Sequence, residues 1–229
     1  MHKQYKRDRS LEQNGVSPVV QAELAHRLHV AGSVVSRLYL ASPDENLRDN
    51  LFSDHMLDTW PLDDAHSARG VELLREAERS DAMEDLNRDH LALFEGAGRP
   101  LVQPFESPYV AQDGRVLQET TLEVRQAYAN EGFVVPEGDR LPEDHVGYEI
   151  AFAAALCGKL SVAAEADEAE AVRITANQLE MFGVQHLKRF VFPIIDGLRA
   201  RANTSIYQAL ADLTQGFVQG VDELLKSAR

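Results

Sequence analysis

The sequence predicts an all-α fold: a single globular domain of about nine or more helices, with a long ordered Pro-rich loop between two helical halves. Three observations predict it. Apolar residues recur at three- and four-residue spacing along most of the chain. The β-branched runs are short and lack sustained alternation. Ser-Pro steps stand where helices would begin, Ser as N-cap and Pro at the first helical position. At 229 residues the chain is long enough for one sizeable core.

The elements follow in order. Residues 1–16 are basic but lead into no apolar region of the kind a secretory signal needs, so they predict a flexible tail. Residues 17–229 form the domain. Its first helix starts at Ser17-Pro18 and buries Val20, Leu24, Leu28, Ala31, Val35 and Leu38. The second starts with Ser42 as cap, Pro43 in the first turn and Glu45 completing a capping box. Helical spacing continues over 64–80, 81–94, 120–131, 142–163, 167–182 and 185–200. The last helix spans 204–226, with Ile206, Leu210, Leu213, Phe217, Val221 and Leu224 as its stripe.

The segment GAGRPLVQPFESPYVAQDGRVLQE, residues 96–119, breaks this rhythm with three Pro and a QDG turn signal. Long structureless connections inside a compact domain are uncommon and often functional. This one carries Phe105, Tyr109 and Val110, which predicts that it is ordered against the helices. It divides an N-terminal half, 17–96, from a C-terminal half, 120–229, with the loop at 97–119. A second linker, GFVVPEGDRLP, leads into LPEDHVGYEIAF.

Composition excludes several classes of function. The net charge is -14, which disfavours nucleic acid and anionic lipid. No stretch is read as reaching the roughly 20 apolar residues of a membrane helix, so stable membrane insertion is not expected and the cytoplasm is. The single cysteine, Cys157, lies in the apolar run IAFAAALCG and is expected to be a buried hydrophobe. The chain contains no His-Glu-x-x-His, Gly-x-Ser-x-Gly or phosphate-loop motif. Asp-His steps occur at residues 54, 89 and 144, but adjacent helical residues diverge by roughly 100° and do not chelate alone. No catalytic residue, metal or cofactor is therefore assigned.

LPEDHVGYEIAF is the stretch with the most open meaning. Pro142 fits the first helical position, Glu143 and Asp144 suit the positive helix end, and His145 can pair with Glu149 four residues on. A capped helix start accounts for all of this. A recognition site remains open beside it.

Several motifs, in order, resemble the TorD/DmsD family of redox-enzyme maturation chaperones. They are Phe94 to Gly96, Pro104 to Tyr109 (PFESPY), Val124 to Tyr128 (VRQAY), Leu141 to Phe152, and Phe182 with His186 and Leu187. Two departures stand out: Leu141 replaces the Glu of the family's Glu-Pro pair, and Phe190 stands at a later Trp position. The resemblance covers about residues 91–211. It implies a cytoplasmic chaperone, not an enzyme, that binds the twin-arginine leader or body of a molybdopterin oxidoreductase catalytic subunit. Such a chaperone assists cofactor insertion and delays export. The long loops of the chain separately leave a domain-swapped homodimer open. The implied peptide-binding residues are Pro104, Phe105, Glu106, Ser107 and Tyr109 from the loop, with Pro142, Asp144 and His145 from the helix start. Asp144 and Glu106 are expected to face the leader's charge, with Phe105 and Tyr109 as wall. The competing readings are a helical adaptor unrelated to redox enzymes and a small helical enzyme using His145 as base.

Overall fold

The computed structural model describes residues 18–96, 99–111, 114–135 and 141–227. The tail reading and the Ser17 cap lie outside them. The described residues form eleven α-helices and no strand. The first five are α1 (Pro18–Leu40), α2 (Glu45–Leu51), α3 (Asp54–Asp58), α4 (Ala65–Ser80) and α5 (Met83–His90). The last runs directly into a π-helical turn, Leu91–Glu95. Next come α6 (Ser107–Val110), α7 (Glu119–Asn130), α8 (Val146–Glu165) and α9 (Ala169–Gln185). A 3₁₀ turn, Leu187–Arg189, leads to α10 (Val191–Arg201) and α11 (Ser205–Ser227).

Helix α8 is apolar around most of its circumference, and such a helix has to be buried on all sides. It lies against α1 and α9, while α11 lies against α1, α4 and α10. Leu28, Val35 and Leu38 of α1 therefore share one core with Ile150 and Leu160 of α8 and with Phe217 of α11. The two halves either side of the Pro-rich loop interlock through this core. Gly32 makes the central crossing possible, because a Cβ there would stand 2.6 Å from the Phe217 ring and 2.7 Å from Ala154 Cβ.

Four expectations are corrected. Helix α2 is capped by Asp44, whose carboxylate accepts from Leu47 N at 2.7 Å, while Ser42 Oγ donates to Asn87. Val20 is exposed, and the buried face of α1 begins with Gln21 and Ala22. α8 begins at Val146, four residues after Pro142, so Glu143 and Asp144 precede it. α8 is also long and apolar enough to cross a membrane by length and composition, but 72% of its most apolar window is buried inside the fold, as in a core helix. Cys157 is fully buried on it.

Candidate functional site

The Pro-rich loop and the start of α8 are joined by a short antiparallel bridge between Phe105 and His145. Glu106 N donates to Asp144 O at 2.9 Å, and Val146 N donates to Pro104 O at 2.8 Å. Proline has no N–H, but its carbonyl serves here as the acceptor.

Asp144 locks this junction. It is fully buried. Its Oδ2 accepts from Ser107 N at 2.9 Å and from Ser107 Oγ, and its Oδ1 accepts from Thr121 Oγ1 at 3.0 Å. The carboxylate thus caps α6 from another part of the chain, satisfying a helix-start N–H that has no partner within the helix. Helix α7 contributes Thr121, Arg125 and Tyr128, spaced to share one face. Arg125 grips Glu143 through two hydrogen bonds of 2.6 and 2.9 Å, which holds that carboxyl below its usual range. The Tyr128 hydroxyl donates to the Glu143 carbonyl at 3.1 Å.

His145 is the N-cap of α8. Its Nδ1 accepts from Gly147 N at 3.1 Å, which leaves the ring proton on Nε2. Burial, reinforced by His90, pushes its pKa down to about 3, so the imidazole is neutral. Phe105 meets the ring edge-on at 5.1 Å. The expected pairing of His145 with Glu149 does not form. Glu149 is fully buried and neither of its oxygens has a hydrogen-bond donor. Burial pushes its carboxyl well above the usual range, with Glu106 and Asp144 adding to the effect and Arg189 opposing it. An unsatisfied buried polar group costs about 1–3 kcal/mol, so this is a place where stability is given up.

Glu106 is also fully buried. Its Oε2 lies 3.0 Å from His186 Nδ1. Its Oε1 is 3.2 Å from Arg189 Nη1, within ion-pair distance but without hydrogen-bond geometry. Burial raises the Glu106 pKa, while His186 and Arg189 pull it back down.

Outside this junction runs a groove made of three adjoining cavities along α7, α9 and the 3₁₀ turn. The first, of about 280 Å³, has Ala127, Phe152, Met181 and Phe182 as walls and Glu131 and Gln178 among its polar groups. The second, of about 540 Å³, shares Gln185 and His186 with the first and adds Glu123, Val184 and Arg189. The third, of about 600 Å³, shares Glu123 and Arg189 with the second and adds Val110 and Glu119. The groove therefore runs from mainly apolar walls to a polar end that carries Glu119 and Glu123 beside Arg189. His186 and Arg189, which touch Glu106 from the inside, stand at its middle. Among the described residues no group of three or more His, Cys, Asp or Glu side chains is placed to hold a metal ion.

The family model for the nitrate reductase delta subunit matches residues 61–196, more than half of the chain. The chain belongs to the nitrate reductase delta subunit family. The match agrees with the resemblance to redox-enzyme maturation chaperones. Membership implies a chaperone for molybdoenzyme maturation rather than a catalyst, acting with a nitrate-reductase-type molybdoenzyme. No curated protein matches the chain.

Within this delta-subunit fold, the separated motifs converge. PFESPY, VRQAY, the Asp-His helix start and His186 all meet at the junction described above. Of the eight residues proposed from sequence, Pro104, Glu106, Ser107, Asp144 and His145 are buried, Phe105 and Pro142 are partly exposed, and Tyr109 is exposed. Tyr109 donates to Gln103 O at 3.0 Å and packs its ring near Phe190. None of the eight lines the three cavities. The expectation that Asp144 and Glu106 present their charge outward is corrected: both carboxylates are turned inward onto protein partners. Residues the sequence reading did not assign to the site are His186, Arg189, Glu123 and Glu149. His186 stood in a quoted motif. Glu149 was read only as a helix-face partner for His145.

Proposed function

We propose that the chain is the cytoplasmic chaperone of a molybdopterin oxidoreductase catalytic subunit, that it binds the subunit's twin-arginine leader in the groove, and that it delays export until the cofactor is inserted. The observation that carries this reading is the groove's change from apolar walls to a polar end with two exposed carboxylates. A twin-arginine leader is cationic at one end and apolar beyond it. Phe152, Met181 and Phe182 suit the apolar stretch, and the exposed carboxylates of Glu119 and Glu123 suit guanidinium groups, which pair bidentately with carboxylates. The acidic surface adds long-range attraction for a cationic segment. In this reading Pro104, Phe105, Glu106, Ser107, Tyr109, Pro142, Asp144 and His145 act mainly as the brace that sets the groove's inner wall.

Titration calorimetry with a synthetic leader peptide tests it. Met181 is exposed at the apolar end and Glu123 at the acidic end, so neither substitution disturbs the core. Met181→Glu and Glu123→Arg are each expected to weaken binding at least about tenfold, or roughly 1.4 kcal/mol, with unchanged helicity. Wild-type affinity in both variants would remove the groove from the account.

A further inference from the structure

A separate cavity lies where the start of α1, the end of α8 and the start of α9 meet. It holds about 200 Å³, with Gln21 of α1, Ala164 of α8, and Asp167, Glu168, Val172 and Arg173 from the turn and α9 among its walls. None of its lining residues lines the groove.

The polar groups there are donors without partners. Gln21 is only 7% exposed, and its Nε2 has no hydrogen-bond partner. Helix α9 opens without a side-chain cap, because Glu168 at the N-cap makes no capping hydrogen bond. The first bond of α9 runs from Val172 N to Glu168 O at 3.0 Å, so the N–H groups of Ala169, Glu170 and Ala171 have no acceptor within the helix. The carbonyls closing α8 are taken: Val162 O by Ala166 N, Ala163 O by Glu168 N and Ala164 O by Asp167 N. What the cavity lacks is an acceptor.

Charge narrows the choice. Asp167 and Glu168 are exposed carboxylates, and Arg173 already gives its Nε and Nη2 to Glu170. An anion would be repelled by this rim. A neutral carbonyl would not, and a cation carried beside it would be attracted.

We propose that this cavity binds an extended peptide, which places one main-chain carbonyl between Gln21 and the start of α9 and a lysine or arginine side chain against Asp167 and Glu168. The carbonyl has two lone pairs, one for Gln21 Nε2 and one for a first-turn N–H of α9. The space suits an extended backbone, whereas a helix, about 10–12 Å across, does not enter it. The site stands apart from the leader reading, since it shares no residue with the groove.

The test is NMR of the full chain, following the Gln21 side-chain amide and the backbone amides of Ala169, Glu170 and Ala171. Three probes are titrated: N-acetyl-arginine methylamide, N-acetyl-alanine methylamide and acetate. The site predicts saturable shifts of these resonances with both capped residues, about two- to fivefold tighter for arginine, the range an exposed ion pair supplies. Asp167→Asn with Glu168→Gln removes that preference. Gln21→Met has a similar helix propensity but no donor. It is expected to weaken both capped probes at least about tenfold. It should also hold or raise the melting temperature, because an unpartnered buried group is removed; a purely structural Gln21 would lower it. Tighter binding of acetate than of the capped residues overturns the peptide assignment, as do shifts that survive Gln21→Met. No saturable shift with any probe overturns the site. If deleting residues 1–16 by itself moves the Gln21 amide, the start of this chain is the occupant and the reading of an outside peptide falls.

Discussion

Asp144 and Glu149 are both fully buried in the same stretch, but their hydrogen bonding differs. Asp144 accepts three hydrogen bonds from Ser107 and Thr121, whereas Glu149 accepts none. Burial without donors favours the protonated acid at Glu149. The double substitution of Asp144 and His145 to Ala would therefore remove the lock of α6 and the cap of α8 together, and would act first on stability. Glu149 also sets a pH dependence. Glu149 has its pKa raised above the usual 4.5. Below that value both folded and unfolded chains hold the proton. Above it the unfolded chain releases the proton while the folded chain keeps it, so this group lowers stability by about 1.4 kcal/mol per pH unit until its folded pKa is passed. His145 works in the other direction. Between 6.5 and about 3 the unfolded chain takes a proton that the folded chain refuses, so stability falls as pH falls. Glu149→Gln should accordingly gain stability relative to the parent on going from pH 5 to pH 8, as read by urea denaturation. An identical difference at both pH values would show that Glu149 ionises normally.

At the scale of elements, the helices were legible because apolar spacing is a local property. Their starts were less so. Ser42 and Asp44 are both good caps two residues apart, and Ser42 is diverted to Asn87 on α5, a partner that sequence spacing cannot reveal. The start of α8 moved for a similar reason: Asp144 is drawn to α6 and α7, leaving His145 to cap. Inside the Pro-rich loop, α6 is too short to leave a periodic trace. The close crossing of α1 with α8 and α11 was also invisible until Gly32 was seen against Phe217 and Ala154. Gly32→Ala tests that crossing. Helix propensity alone would stabilise the variant by about 1 kcal/mol, but overpacking against a ring and a backbone-anchored methyl costs about 1–3 kcal/mol. The expected result is a net loss of stability in thermal unfolding, and a raised melting temperature would contradict the tight crossing.

At the scale of the molecule, the resemblance placed the chain in its chaperone class through motifs spread over residues 91–211, and the family match over residues 61–196 agrees. The fold explains why those motifs travel together: four segments far apart in sequence close one junction behind a groove. Which face of that junction meets a partner was not legible, because burial decides it. The carboxylates that looked most available in sequence are the most enclosed, while Glu119 and Glu123, unremarked on α7, lie exposed. The central claim is that a client subunit is held through its leader. The most direct measurement is capture of a molybdopterin oxidoreductase catalytic subunit by the full chain from cells respiring on an anaerobic electron acceptor, with intact-mass analysis of what is bound. The account predicts a captured subunit that still carries its twin-arginine leader, and loss of capture when the leader is deleted. Equal capture of the leaderless subunit would contradict it.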